Sequence, residues 1–363
     1  MAFSLALYPI AYRARFDNGS WREEFIEQPH KTPAEEAALP EAERDALNER
    51  RNCFAGVPLV NYTTQYGMGC FEGLKAFPQK GAGKGSGLAI FRPDENAARF
   101  AKSMRGLGMP SFPEDMFVRA CVEVSSRNAA LGFKPVYDPA WEADGFVSAQ
   151  GVYLRPFSYA EGGIGVGISK KPSVFIVANP VGSYFKPGSS SAVTTERIRA
   201  TPKGTGWIKA DSNYVISALA KKEAEEAGYM EVLFLDAVER KYVEEGSSCN
   251  AFFYLKSGEL VTPELGDTIL PGITRKSVVE LARAAGVKVS ERRIAIDEVL
   301  SDAKEVFFTG TAAGASFVES VTHKGKTAKF GDKPGELTMK LGRELKGIQY
   351  GVVPDTRGWM KAV

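Results

Sequence analysis

One lysine stands where covalent chemistry is possible. Lys209 follows Trp207 and Ile208 and precedes Asn213 and Tyr214. A lysine in apolar surroundings can lose its proton and form a Schiff base with a carbonyl compound. Two other stretches in the same half of the chain could hold an anion. Gly272-Ile273-Thr274 opens a helical pattern, and free backbone N–H groups at a helix start favour phosphate. Thr309-Gly310-Thr311-Ala312-Ala313-Gly314 is a small-residue turn after an apolar run, and such turns expose N–H groups. Taken singly, each has an ordinary reading: a surface lysine, a plain helix start and a loop. The glycine-rich stretch GAGKGSG (81–87) is not a phosphate loop. Its Lys84 is followed by Gly85 where Ser or Thr is required, and no glycine stands five residues before Gly83.

Composition narrows the chemistry. The 363 residues include only two histidines, His30 and His323, with no metal-ligand neighbours at useful spacing. A Ser-His-Asp triad and a histidine metal site are therefore excluded, and the acid–base group must be Lys, Tyr, Asp, Glu or Cys. The four cysteines, Cys53, Cys70, Cys121 and Cys249, form no C-x-x-C pair and read as reduced thiols. With 44% apolar residues, 25% charged residues and a net charge of +2, the chain looks globular, with no call for nucleic acid or an anionic membrane as partner. The N-terminal run MAFSLALYPIAYRARF lacks a basic start and contains Pro9. It is expected to be a strand and not a signal peptide, which makes the cytoplasm the default location.

The elements that must position these residues follow from periodicity. Residues 27–52 are expected to be a solvated segment with one short helical stretch. Strands near 71–77 and 88–91 form a hairpin. A helix capped by Asp94 buries Ala97, Phe100, Ala101, Met104 and Leu107, and a second runs over about 114–131. Residues 134–150 read as a loop, followed by strands at 151–158 and 173–179. The Pro- and Ser-containing stretch 183–191 reads as a linker between a smaller α+β domain (1–182) and a larger one (192–363) that carries Lys209. In the second half, a helix over 212–227 turns Ile216, Leu219, Ala220 and Ala224 inward, and Gly228 ends it. Strands at 231–235, 242–244, 250–255 and 305–309 follow, with helices at 274–285, 297–302 and 335–346. Strands and helices in runs argue an α+β fold in each half.

Nine stretches then occur in one order and spacing: YGMGCFEGLKAF (66–77), AIFRPDENAARF (89–100), YLRPF (153–157), NPVGSYF (179–185), IKADSNY (208–214), VEEGSSCNAFFY (243–254), TILPGITRKSV (268–278), FFTGTAA (307–313) and ELKGIQYG (344–351). From Tyr62 to Val352 the sequence resembles the branched-chain aminotransferases, fold-type IV pyridoxal-phosphate enzymes of the D-amino-acid aminotransferase-like architecture. The resemblance implies pyridoxal 5′-phosphate as cofactor, with Lys209 as its covalent attachment and proton shuttle. It implies that Glu244 pairs with the ring nitrogen, while neighbouring Glu245 points to the opposite face of the strand. It implies a cofactor site completed by Arg92, Tyr214, Ser247, Ile273, Thr274 and Thr311. For substrate it implies an aromatic pocket of Tyr66, Phe71, Tyr153 and Tyr184, with Arg155 as a switchable cation for 2-oxoglutarate. The N–H groups of Thr311 and Ala312 are implied for the α-carboxylate. It implies a homodimer. Two departures stand out: Asp211 and Ser212 occupy the places of a usual glycine pair, and Ala313 and Ser316 replace a C-x-x-C found in some relatives. Other fold-type IV activities remain as alternatives: D-amino-acid or amine transamination, the lyase reaction that yields 4-aminobenzoate, or a non-catalytic relative.

Overall fold

The computed structural model describes residues 5–81, 85–182, 190–311 and 314–363. Tyr184, Ala312, Ala313, part of the 81–87 loop and most of the expected 183–191 linker lie outside these residues. The chain divides into two compact units, each discontinuous in sequence. The first comprises 1–184, 210–212 and 347–363, and the second 185–209 and 213–346. A single cut near 183–191 does not describe this division. The strand Met360–Ala362 pairs with Leu88–Phe91, so the end of the chain belongs to the first unit.

The first unit is built on a seven-stranded antiparallel sheet. Its order is Met360–Ala362, Leu88–Phe91, Leu74–Pro78, Gly151–Tyr159, Ser173–Val181, Ile10–Asp17, Ser20–Glu27. The helices Pro93–Gly106 and Glu114–Ala130 bury Phe100, Met104, Phe117 and Val124 against Tyr12, Leu74, Ile90 and Ile176. Apolar residues at helical spacing meet apolar residues at strand spacing, and a two-layer core results.

Asp94 is not the helix cap. The cap is Arg92, held at φ 46° before Pro93, with Asp94 in the first turn. Proline fixes the first helical residue and leaves the sharp entry to its predecessor. The 27–52 segment holds two helices, Pro33–Ala37 and Glu41–Asn52, and is not wholly solvated. Arg51 is buried, donating to the carbonyls of Leu7 and Pro29 and pairing with Glu36 at 2.5 Å. The 134–150 stretch contains a short helix, Ala140–Ala143, whose Trp141 is buried with its ring 5.7 Å from that of Tyr350.

The second unit holds a mixed sheet in the order Lys288–Glu291, Glu259–Thr262, Asn250–Leu255, Val243–Gly246, Glu231–Leu235, Ser191–Thr194, Ser320–His323, Lys326–Lys329. Ala303–Gly310 joins it by pairing with Asn250–Leu255 and with Gly314–Val318. Its core gathers Leu235, Phe253, Val261, Val306 and Phe308. The helix Asn213–Glu226 buries Ser217, Ala220 and Ala224. Leu219, expected inward, is 42% exposed in the single chain.

Candidate active site

Lys209 lies just before the helix Asn213–Glu226, whose start is tied back by side-chain bonds. Asn213 donates to the carbonyls of Thr205 and Ile208, and its Oδ1 accepts from the Thr205 hydroxyl. Gly206 permits this turn: a Cβ there would lie 2.6 Å from the backbone of Thr268. Half-buried, Lys209 directs Nζ to the Tyr214 hydroxyl at 2.8 Å. The sequence spacing of five residues thus becomes one hydrogen-bonded pair.

The two glutamates of Val243–Gly246 occupy opposite faces, as strand alternation requires. Glu245 is the one on which the Lys209 charge acts, as the least of several influences on its carboxyl. It pairs with Arg199 at 2.7 Å, with both side chains 4% exposed, and accepts from Asn250 Nδ2 and the Leu270 N–H, each at 3.1 Å. Burial pushes its carboxyl up to about 7, although Arg199 and the Leu270 N–H favour the charged form. Glu244 is raised by burial too, but its listening partners are Thr268, Arg199, Asp236 and Arg240. Its Oε2 is buried with no hydrogen-bond partner. An orphaned carboxylate oxygen could answer a ring N–H, yet its neighbours do not include Lys209 among the main influences. Glu245 has the fuller set of partners, Arg199, Asn250 and the Leu270 N–H.

Asn250 connects this carboxylate to the anion-binding element. Its Nδ2 also donates to the Leu270 carbonyl at 3.0 Å. Two residues on, Gly272 caps the helix Ile273–Ala284, and no side chain bonds the helix start. A Cβ at Gly272 would sit 1.9 Å from Asn250 Oδ1, so glycine is required for that approach. Thr274 is buried in the first turn. Arg275 fixes the helix by bonding Thr262 Oγ1, the Pro263 carbonyl and Glu291. Ser247 is buried, and its N–H donates to Glu231 at 3.3 Å. Thr309 is buried at the end of its strand with an unpartnered hydroxyl, and Thr311 follows in the turn.

In the first unit, Tyr153, Arg155 and Phe71 come together. Arg155 Nη2 donates to the Tyr153 hydroxyl at 2.9 Å, and its guanidinium lies 4.7 Å from the Phe71 ring centroid. Residues two apart on a strand share a face, and the structure realises that relation. Gly73 makes room for Tyr153, since a Cβ there would fall 1.9 Å from its hydroxyl. Tyr66 is not bonded into this group; its hydroxyl accepts from the Gly165 N–H at 3.1 Å. Arg92 is buried, pairs with Glu95 at 3.2 Å and stacks 4.8 Å over the Trp359 ring.

Sequence reasoning named Glu244 and singled out neither Arg199 nor Asn250, which the structure places on Glu245. The signal was present in the hairpin count: Glu245 and Asn250 face each other across the four residues Gly246–Cys249, which makes them a same-face pair. Among the described residues there is no cluster suited to a metal ion and no helix long and apolar enough to cross a membrane.

A lysine bonded to a tyrosine, a buried carboxylate paired with Arg199 and a helix start without a side-chain cap form a donor set for a phosphorylated aldehyde cofactor. The comparisons agree. Residues 69–321 match the family described as Amino-transferase class IV, and the chain belongs to that family. A branched-chain-amino-acid aminotransferase of Mycobacterium tuberculosis (strain ATCC 25618 / H37Rv) is 42% identical over 308 residues, covering 81% of this chain and 80% of that protein. Among solved structures, the branched-chain amino acid aminotransferase of Thermobaculum terrenum in its PLP form matches with a TM-score of 0.73 at 26% identity, covering 98% of each chain. That of Escherichia coli matches with a TM-score of 0.72 at 26% identity, covering 98% of this chain and 99% of the other.

Proposed function

We propose that this protein is a pyridoxal-phosphate-dependent transferase of branched-chain L-amino acids. It moves the amino group of leucine, isoleucine or valine to 2-oxoglutarate, giving the branched-chain 2-oxo acid and L-glutamate. The observation that carries the reading is the Lys209–Tyr214 pair, with Glu245 buried against Arg199 in the same unit. The similarity to aminotransferases of that specificity supports the substrate class.

The residues fit the cofactor. Ile273 and Thr274 would hold the phosphate at the uncapped helix start, with Thr311 and Arg92 assigned to it by the resemblance. Glu245, in place of Glu244, would hold a proton on the ring nitrogen, and Arg199 would keep that carboxylate charged. Tyr214 would bond the ring oxygen and steady Lys209. When bound, pyridoxal phosphate supplies the sink for the electron pair left on the substrate α-carbon.

The chain's own groups do the rest. Lys209 Nζ would take the proton from the substrate Cα and deliver it to C4′ of the cofactor, and would move it in the opposite direction with 2-oxoglutarate. Phe71 and Tyr153 would receive the apolar side chain. Arg155 would pair with the distal carboxylate of glutamate or 2-oxoglutarate, a charge too costly to bury alone. We further propose a homodimer in the cytoplasm; sedimentation and fractionation test these two points.

A substrate panel with 2-oxoglutarate as acceptor tests the reading. L-leucine, L-isoleucine and L-valine should give glutamate, and D-alanine and simple primary amines should not. Turnover of the D-amino acid or the amine in their place would overturn it.

A further inference from the structure

Two residues after Lys209 stands Asp211, at a position where the resemblance leads one to expect glycine. The first unit includes it and gives it a definite seat. Its N–H donates to the Gly69 carbonyl at 2.9 Å, and Ala210 bridges to Cys70. Its Oδ2 lies 2.2 Å from where a Cβ on Gly69 would be, so the carboxylate fills the space that glycine leaves. The same segment continues into Phe71, whose ring carries the guanidinium of Arg155 at 4.7 Å. Asp211 and Arg155 are thus anchored to one three-residue segment from opposite directions in sequence. Among the described residues no direct ion pair joins them, but Asp211 lies in the field of Arg155. Arg155 keeps a buried Nε with no partner and spends Nη2 on the Tyr153 hydroxyl.

We infer that Asp211 is a specificity-determining residue: a resident carboxylate in the field of Arg155 that sets how the site ranks dicarboxylate against branched-chain substrates. The inference rests on the reading of Arg155 as the cation for the distal carboxylate. With leucine bound, Asp211 offsets a guanidinium that has no substrate charge to meet. With glutamate bound, a second carboxylate enters the same field, and Asp211 repels it. Glycine at this place would leave Arg155 more attractive to dicarboxylates and less well balanced for leucine.

The charge on Asp211 responds to pH. Burial pushes its carboxyl up to about 6, against the pull of Arg155. Cys70 beside it keeps its buried thiol protonated and feels both Asp211 and Glu72, the latter paired with Arg99. Acidification through that value neutralises Asp211 and frees Arg155, while the substrate's own carboxylates stay charged, since they titrate near 4.

The test uses the holoenzyme and its two half-reactions, with glutamate and with leucine. In Asp211→Asn the ratio of the glutamate KM to the leucine KM should fall roughly three- to tenfold, the range for one partly solvated charge pair. In the native protein the same ratio should fall as pH drops through about 6, and this step should vanish in Asp211→Asn. The gain should also vanish in the Asp211→Asn, Arg155→Leu double variant. The pH arm needs no substitution, so it decides the matter even if a variant does not fold. If Arg155→Leu raises the glutamate KM selectively but Asp211→Asn leaves the ratio and its pH profile as they were, Asp211 has no such role and the Arg155 reading stands. If Arg155→Leu harms both substrates equally, that reading fails and takes this inference with it.

Discussion

Glu245 faces Asn250 across a hairpin, and the amide of Asn250 ties that carboxylate to Leu270, two residues before the helix start at Gly272. The Leu270 N–H also donates directly to Glu245, so two links set the distance between the carboxylate assigned to the ring nitrogen and the N–H groups assigned to the phosphate.

The first prediction separates the two adjacent glutamates. Glu245→Gln should lower kcat by about two orders of magnitude or more, because a neutral amide cannot hold a proton on the ring nitrogen. Glu244→Gln should cost less than tenfold, on the order of one lost hydrogen bond. Steady-state kinetics at saturating cofactor give both numbers. A larger loss at Glu244 would return the role to it and make Glu245 a structural partner of Arg199.

The second prediction concerns support beneath the pocket. Glu72 has no exposed surface and receives Arg99 through Nε at 2.7 Å and Nη2 at 2.8 Å, with Asn96 at 2.6 Å. Glu72→Ala would leave the Arg99 charge buried without its counterion. A loss of about 3–5 kcal/mol is expected in denaturant unfolding, with Glu72→Gln losing less. A loss under about 1 kcal/mol would show that water reaches Arg99 and that the pair is not a support.

Gly73→Ala forms the third. The added methyl would meet the Tyr153 hydroxyl at 1.9 Å and the ring carbon bearing it at 2.8 Å. The ring must move, and its bond to Arg155 breaks. We expect kcat/KM for leucine to fall roughly 10- to 100-fold, with unfolding changed by about 1–3 kcal/mol. Native kinetics in this variant would mean that Tyr153 is not held where the pocket needs it.

Much of this was legible in the sequence, and the failures have physical causes. Helical and strand spacing placed the helices Glu114–Ala130 and Ile273–Ala284 within a residue of their observed bounds, because both bury a regular apolar face. The same logic put Tyr153 and Arg155 on one face. It failed at Asp94, where Pro93 moved the helix cap two residues back to Arg92, and at Arg51, whose burial depends on carbonyls 22 and 44 residues away. The choice between Glu244 and Glu245 needed the hairpin partner, which alternation along one strand does not supply. The return of residues 347–363 to the first unit was hidden for a similar reason: the pairing of Met360–Ala362 with Leu88–Phe91 spans most of the chain.

The central claim is that Lys209 holds the cofactor and moves the proton. Its Nζ, 2.8 Å from the Tyr214 hydroxyl, is the group assigned to attack the aldehyde. Lys209→Ala should fold, bind less cofactor and lose transamination to background. The most direct measurement is borohydride reduction of the holoenzyme, followed by proteolysis and mass spectrometry of the pyridoxyl-bearing peptide. The account predicts the added mass on Lys209, and none on that peptide in Lys209→Ala. Stoichiometric labelling of another lysine, with Lys209 unmodified, would contradict it.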